Sequence, residues 1–322
     1  MAQPLTLGID LGGTDCKFGI VDPAGRVLAH AKAPTGADAG PDAVIDGIAR
    51  NAADLLAKYP AVAAIGMGVP GPMSSRLGVV FEAPNLPGWN DTPVQAMMEE
   101  RLKLPVTLHN DANAAAYGEF WAGAGRDPEI RTLVLFTLGT GVGGGIVIDG
   151  ELYLGPDETA AELGHMIINF DDPERAGFAY KGCVEDYASA KGVRRMALEA
   201  VRVHGAAAGI DIPEGAEDDF GAKVVHDAAL AGSKAAEDIL RRVGVALGTA
   251  AANVINMLNP HMVCYSGGLI HAGEYIFAPL RETAKANSFA VPFARAKIAV
   301  STLGTDAGII GAAGLAMKKA GL

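Results

Sequence analysis

The chain has 322 residues and a formal net charge of −11, with 50% hydrophobic and 20% charged residues. This apolar content suffices for two cores and excludes a disordered chain, while an acidic balance without a basic run argues against a nucleic-acid partner. The apolar runs are interrupted by glycine, asparagine and proline, and no basic leader is present, so we expect neither a membrane segment nor a secretory signal. Three widely spaced cysteines cannot complete a disulfide framework, which predicts a cytoplasmic location.

The chain opens with two apolar runs joined by a glycine-rich turn, which is the pattern of a β-hairpin. This opening pattern spans residues 5–21, around LGGT at 11–14. The same order recurs over residues 133–148, around LGTGVGGG at 138–145. The repetition predicts a duplicated α/β fold with one phosphate-binding loop in each half.

Predicted helices and strands alternate along the rest of the chain. Apolar residues at helical spacing indicate helices, and short apolar runs indicate strands. The helices are expected at 41–59, 113–122, 233–258 and 307–319, and the strands at 61–69, 105–108, 262–266 and 298–300. The longest helix ends at Asn259-Pro260, and its Gly244 and Gly248 would allow close packing.

The length of the chain exceeds that of a single hydrophobic core, so we expect two lobes with a ligand cleft between them. A small N-terminal lobe is predicted over residues 1–112, joined by the C-terminal helix at about 306–322. The large lobe is predicted over residues 113–305.

The first glycine-rich turn is a candidate phosphate site. Gly12 and Gly13 would let backbone N–H groups approach phosphate oxygens, and the Thr14 hydroxyl adds a donor. Asp10, at the end of a strand, can hold Mg²⁺ through a water molecule. An ordinary hairpin turn would also account for this one loop.

The second loop strengthens the phosphate interpretation. Gly139, Thr140 and Gly141 belong to a stretch with more glycine than a hairpin requires. The stretch lacks the lysine of a Walker motif, so its backbone amides would bind the phosphates. Two such loops together favour nucleotide binding over two unrelated turns.

Asp111 follows Asn110 at the junction of a strand and an alanine-rich helix. A carboxylate at a helix N-terminus stays ionised near neutral pH and can accept a proton from a sugar hydroxyl, although an Asp there is also a common N-cap. Glu162, His165 and Glu185 add polar groups suited to a polyhydroxylated ligand. A surface turn or a satisfied buried polar group would explain each of these three alone.

Four motifs, in their order along the chain, resemble those of the ROK family, which comprises repressors, open-reading-frame proteins and sugar kinases. The segment 10–14 is similar to its first phosphate motif, 138–145 to its second, Asn110-Asp111 to its catalytic pair and 162–165 to its E-x-G-H element. The resemblance covers nearly the whole chain. It implies an actin-like (ribonuclease H-like) fold, ATP and Mg²⁺ as cofactors, and a homodimer.

The resemblance also assigns roles to single residues. It implies that Asp111 is the general base, and that Asn110, Glu162, His165 and Glu185 hold sugar hydroxyls.

Two further segments enter through the same resemblance. PNLPGW at 84–89 is similar to a loop that closes over glucose in family glucokinases, which adds Asn85 to the sugar site. Gly267 and Gly268 resemble the adenosine-side loop, although two glycines at a strand end are commonly just a turn.

The resemblance implies ATP-dependent phosphorylation of a hexose, and the PNLPGW loop favours glucose. N-acetylmannosamine, N-acetylglucosamine and fructose stay open as substrates, because the E-x-G-H element also resembles that of N-acetylmannosamine kinases. A sugar-binding sensor is the non-enzyme alternative. A repressor is disfavoured, since family repressors carry a DNA-binding segment where this chain has only nine residues before Asp10.

The family's usual zinc site lies after the E-x-G-H histidine, in a cysteine-rich stretch from which this chain departs. Ala176 and Phe178 stand where two cysteines belong, which leaves His165 and Cys183. Structural zinc needs four ligands, and carboxylates within 171–174 are unusual substitutes. We therefore predict no bound zinc.

Overall fold

A computed structural model describes residues 3–83, 85–171, 182–213, 215 and 220–322. The strands are β1 Leu5–Leu11, β2 Asp15–Val21, β3 Val27–Pro34, β4 Val62–Val69, β5 Met73–Ser74, β6 Val79–Glu82, β7 Asn90–Thr92, β8 Val106–Asn110, β9 Leu133–Leu138, β10 Val142–Ile148, β11 Glu151–Leu152, β12 Met262–Gly267 and β13 Lys297–Val300. The α-helices are α1 Pro41–Lys58, α2 Val94–Leu102, α3 Asp111–Trp121, α4 Val184–Ala188, α5 Ala190–His204, α6 Ala222–Leu230, α7 Lys234–Leu258, α8 Glu274–Asn287, α9 Ala290–Arg295 and α10 Ala307–Lys319.

The predicted duplication is confirmed by the order of the strands. One five-stranded sheet has the order β3-β2-β1-β4-β8, and the other has the order β11-β10-β9-β12-β13. Each sheet therefore begins with a meander of three strands, adds the next strand beside the first, and ends on a fifth. The outer pairs β4–β8 and β12–β13 are parallel, as expected for strands joined by a helical crossover.

Local signals in the sequence explain where the predicted helices begin and end. In α7 the Ser233 hydroxyl accepts a hydrogen bond from the Ala236 N–H (3.1 Å), and Asn259 ends the helix in the left-handed conformation (φ 46°) just before Pro260.

Among the described residues, no helix combines the length and apolar character needed to cross a bilayer.

The first compact unit comprises Met1–Leu133, Gly145–Ala161 and Ser301–Leu322. In it, α10 lies directly on the sheet, because a Cβ on Gly8 or Gly66 would fall on the backbone of Ile309 or Ala312. Glycine at these two strand positions lets helix and sheet approach at backbone distance.

The second compact unit comprises Val134–Gly144 and Glu162–Val300. Its helices α7 and α8 pack closely at two glycines, as the sequence predicted. A Cβ on Gly244 would lie 2.5 Å from Pro279 Cγ, and one on Gly248 would lie 2.7 Å from Thr283 Cβ. Substitution at either glycine would therefore force these helices apart.

This division draws the boundary at Leu133, whereas the sequence suggested 112. The reason lies in α3, whose backbone contacts the backbone of α10 with no side chains between them. A Cβ on Gly311 would fall on the Ala114 carbonyl, and one on Gly118 would fall on that of Ala307. Helix α3 consequently belongs with the first unit, as does the C-terminal segment from Ser301.

A small sheet of order β5-β6-β7 was not predicted. Its strands have only two to four residues, too few for a periodic pattern to be read. The loop before β7 contributes Leu86 and Trp89 to the core, each with 1% exposure. Trp89 is therefore a core side chain.

Candidate active site

The first glycine loop is the turn between β1 and β2. The Gly12 N–H donates to the Asp15 carbonyl (3.0 Å), and the Thr35 hydroxyl donates to the Gly12 carbonyl (2.6 Å). Neither Gly12 nor Gly13 adopts a positive φ. Close approach requires glycine here, since a Cβ on Gly12 would lie 2.8 Å from the Asp15 carbonyl oxygen.

Asn85 lies against this loop. A Cβ on Gly13 would lie 3.0 Å from Asn85 Cβ, so the residue predicted for the sugar contacts a residue predicted for phosphate. Thr14 and Asn85 are both exposed. Pro84 lies outside the described residues.

Asp10 is the penultimate residue of β1, and its carboxylate is largely shielded from solvent. Burial raises the pKa of Asp10, and Lys17 opposes this shift from a distance of 3.7 Å between Nζ and Oδ2. A Cβ on Gly308 would lie 3.0 Å from Asp10 Cγ, which places the first turn of α10 beside the carboxylate. The partial positive charge at a helix N-terminus favours such a neighbour.

Asn110 and Asp111 form the junction of β8 and α3. Asn110 is the N-cap, because its Oδ1 accepts from the backbone N–H groups of Ala112 (3.0 Å) and Asn113 (3.2 Å). Its Nδ2 points toward the Gly71 carbonyl at 3.5 Å. Capping therefore falls to Asn110, and one oxygen of the candidate base Asp111 accepts from the Ala112 N–H at 2.8 Å.

The second glycine loop joins β9 and β10 and is held by Glu185. The Glu185 Oε2 accepts a hydrogen bond from the Val142 N–H (2.7 Å). A Cβ on Gly141 would fall against this carboxylate, whereas one on Gly139 would meet open space. Thr140 is exposed. The structure thus brings Glu185, predicted for the sugar, into contact with the phosphate loop.

Glu162 precedes a short 3₁₀ turn and His165 is its last residue, and His165 Nε2 lies 3.8 Å from Glu162 Oε2. Nearby, Cys183 caps α4, with its N–H donating to Asp186 Oδ2 at 3.0 Å. Burial raises the pKa of the Cys183 thiol.

The positions that argue against zinc, Ala176 and Phe178, lie outside the described residues. Within the described ranges, no group of three or more His, Cys, Asp or Glu side chains is arranged to hold a metal ion. The absence of zinc stays a prediction.

Gly267 and Gly268 lie at the end of β12, and Gly267 has a positive φ of 96°. A Cβ on Gly267 would fall on the Leu138 backbone, so this turn contacts the strand that leads into the second loop. Gly139 and Gly268 line one pocket of about 620 Å³. Most of the pocket wall is apolar, which suits a planar base better than a sugar.

The candidate residues fall into two sets, one in each unit. The first unit holds Asp10, Gly12, Gly13, Thr14, Asn85, Asn110 and Asp111; the second holds Gly139, Thr140, Gly141, Glu162, His165, Glu185, Gly267 and Gly268. Sequence reasoning missed Lys17 beside Asp10 and Thr35 beneath the first loop. Neither stands in a recognisable motif.

Duplicated sheets, each with a glycine-rich hairpin turn, agree with the actin-like arrangement that the motifs implied. Residues 6–319 match the ROK family model. The chain is 36% identical over 317 residues to a glucokinase from Thermotoga maritima, with 98% of each chain covered. The chain therefore belongs to the ROK family, as its motifs predicted.

Solved structures agree with this assignment. The fold matches a ROK family glucokinase from Streptomyces griseus in complex with glucose and AMPPNP, with 32% identity, a TM-score of 0.79, and 98% and 99% of the two chains covered. It also matches a ROK hexokinase from Thermus thermophilus, with 28% identity, a TM-score of 0.83 and the same coverage. The predicted actin-like fold is confirmed.

Proposed function

We propose that the protein transfers the γ-phosphoryl group of ATP to glucose, forming glucose 6-phosphate and ADP. The observation that carries the proposal is the position of Asp111, at the N-terminus of α3 and directly after the Asn110 cap. The cap fixes the backbone at this point, and the helix dipole favours the ionised carboxylate. An ionised, fixed carboxylate is the group that a sugar hydroxyl requires as a base.

In the reaction, Asp111 accepts the proton of the 6-hydroxyl as the sugar oxygen bonds to the γ-phosphorus. The bond from that phosphorus to the bridging oxygen breaks, and ADP leaves with the electron pair. The protein does little covalent chemistry beyond this proton transfer, because phosphoryl transfer depends mainly on positioning and charge stabilisation. The backbone amides of the two glycine loops supply part of that stabilisation.

Asp10 fits a role as the protein's ligand for Mg²⁺. Magnesium in kinases is bound by one or two carboxylates together with substrate phosphates, so a lone carboxylate near the first loop suffices. The ion would neutralise charge on the phosphates. Burial raises the pKa of Asp10, and Lys17, whose Nζ lies 3.7 Å from Asp10 Oδ2, opposes that shift.

The second set of residues would bind the remaining parts of the substrates. The apolar pocket beside Gly139 and Gly268 suits the adenosine portion of ATP. Glu162 and His165 present polar groups for sugar hydroxyls. We assign Glu185 to the sugar as well, and one of its oxygens already accepts a hydrogen bond from the Val142 N–H in the second glycine loop.

The test is a coupled ADP-release assay with glucose, mannose, fructose, N-acetylglucosamine and N-acetylmannosamine. We expect glucose to give the highest kcat/KM. A higher kcat/KM for an N-acetylated sugar would show that this sugar, and not glucose, is the substrate. If calorimetry showed glucose binding but the assay showed no ADP release, the protein would be a sugar-binding sensor and not a kinase. Homodimer assembly and a cytoplasmic location belong to the same proposal, and light scattering checks the first.

A further inference from the structure

Glu119 is a fully buried carboxylate near the end of α3, with 0% exposure. Its Oε1 accepts hydrogen bonds from the Ser301 hydroxyl (2.6 Å) and the Leu303 N–H (2.9 Å). Its Oε2 accepts from the Ala124 N–H (2.9 Å) and the Thr302 N–H (3.2 Å). We call these five residues the Glu119 clamp.

Burial of a carboxylate is costly unless several donors compensate for the lost water. In the described part of the chain, the partners of Glu119 are backbone N–H groups and hydroxyls, with no cation among them. Each donor has a fixed position, so the clamp holds one arrangement of the chain and disfavours others. An apolar side chain could fill the space but could not set this register.

The clamp joins α3, which carries Asp111, to the segment that leads into α10, the helix that packs against Asp10. Glu119 lies on α3, which begins at Asp111. The segment that it holds, 301–303, leads into α10, and Gly308 in the first turn of α10 packs against Asp10. The same lead-in is held by Lys17, whose Nζ lies 3.5 Å from the Thr305 carbonyl oxygen and 3.7 Å from Asp10.

The packing of α3 on α10 transmits this register. At Gly118 and Gly311 the two helices meet without side chains between them. Backbone contact at these two points leaves α3 and α10 little freedom to slide along each other, because close-packed interiors resist small displacements. A shift of the 301–303 segment would therefore reach Gly308 and the carboxylate beside it.

We infer that Glu119 is a positioning residue for phosphoryl transfer, which holds Asp10 and Asp111 in register from the far end of α3. The inference rests on the proposed function. It assigns to one buried side chain the alignment of the base with the magnesium-binding carboxylate. Glu119 itself touches neither substrate.

The test compares Glu119→Gln and the milder Ser301→Ala with Ile48→Ala. Gln keeps the shape of Glu119 but turns one acceptor into a donor that faces other donors, while Ser301→Ala removes a single hydrogen bond. Ile48 is buried in α1 with 3% exposure and lies outside the clamp, so it reports the effect of lost stability alone. All variants are assayed well below their melting temperatures.

We expect kcat to fall by about 10-fold to 100-fold in Glu119→Gln, the scale of a misplaced catalytic group, and by less in Ser301→Ala. Glucose KM should stay within about twofold. Amide hydrogen exchange should accelerate over 301–310 in both clamp variants and not in Ile48→Ala.

A wild-type kcat in both folded clamp variants would overturn the inference. A loss of kcat that is no larger than in Ile48→Ala at an equal drop in melting temperature would also overturn it. If the wild-type protein itself released no ADP with glucose, the proposed function would fail, and the inference with it.

Discussion

The carboxylate of Glu185 lies where a side chain on Gly141 would have to go. Gly141→Ala should therefore displace Glu185 and release the Val142 N–H that it holds. Loss of one hydrogen bond to a charged phosphate costs about 1.5 to 3 kcal/mol, so we expect the KM for ATP to rise by about tenfold or more. Steady-state kinetics at saturating glucose measure this change.

The matched control is Gly47→Ala, on α1, where a Cβ would meet only the end of the Arg50 side chain at 3.8 Å. It should leave the KM for ATP unchanged. An unchanged KM for ATP in folded Gly141→Ala would show that this loop does not bind the phosphates of ATP.

At the residue scale, the sequence located the candidate residues better than their contacts. It placed Asn110 and Asp111 at a strand-to-helix junction, but it could not show that the Asn110 Oδ1 caps the helix by accepting hydrogen bonds from its first N–H groups. Glu185 was assigned to the sugar by resemblance, while its visible partner is Val142, 43 residues earlier in the chain. Contacts at such separation leave no local pattern.

At the element scale, α7 and α8 depend on two glycines for their close packing. Gly248→Ala should lower the free energy of unfolding by about 1 to 3 kcal/mol, since its Cβ would overlap Thr283 and Leu280. Urea denaturation measures the loss. Gly47→Ala is again the control, and it should be neutral or stabilising because Ala is the better helix former. Equal stability of the two variants would contradict the close packing.

Elements with caps and periodic apolar faces were predicted well. The expected helix at 307–319 is α10 itself, and that at 41–59 is α1 to within one residue. The dipeptide Asp149-Gly150 is a typical hairpin-turn sequence, and both residues have positive φ, as a tight hairpin requires. The Glu119 clamp escaped prediction, because its donors Ser301, Thr302 and Leu303 lie 182 to 184 residues away along the chain.

At the scale of the whole molecule, one partly buried histidine should make stability depend on pH. Burial lowers the pKa of His109 to about 4, with a smaller contribution from Lys319 and an opposing one from Glu158. The unfolded chain binds this proton near pH 6.5 and the folded chain only near 4, so stability is lost as pH falls through that window. Between pH 7 and 5 we expect a loss of about 2 kcal/mol.

Urea denaturation of His109→Gln at the two pH values tests this account. The variant should lose most of that pH dependence, and exposed His204→Gln should retain it. A full pH dependence in His109→Gln would assign the effect to other groups. Carboxylates such as Glu158, whose pKa is lowered by Ser74 and Ser75 despite burial, contribute only at lower pH.

The zinc prediction also concerns the molecule as a whole. We expect elemental analysis of the purified protein to find no stoichiometric zinc, and chelator treatment to leave activity intact. Near-stoichiometric zinc together with loss of activity on stripping would prove this wrong. The outcome decides whether His165 serves the sugar alone.

The central claim is that Asp111 is the base for phosphorylation of glucose, and Asp111→Asn tests it most directly. The change keeps the shape of the side chain and removes its charge, so ³¹P NMR should show glucose 6-phosphate forming about 100-fold to 10,000-fold more slowly. Calorimetry should show glucose binding largely preserved. Asp54→Asn, the same change on the exposed face of α1, should retain full activity. More than about a tenth of wild-type kcat in Asp111→Asn at saturating substrates would contradict the claim.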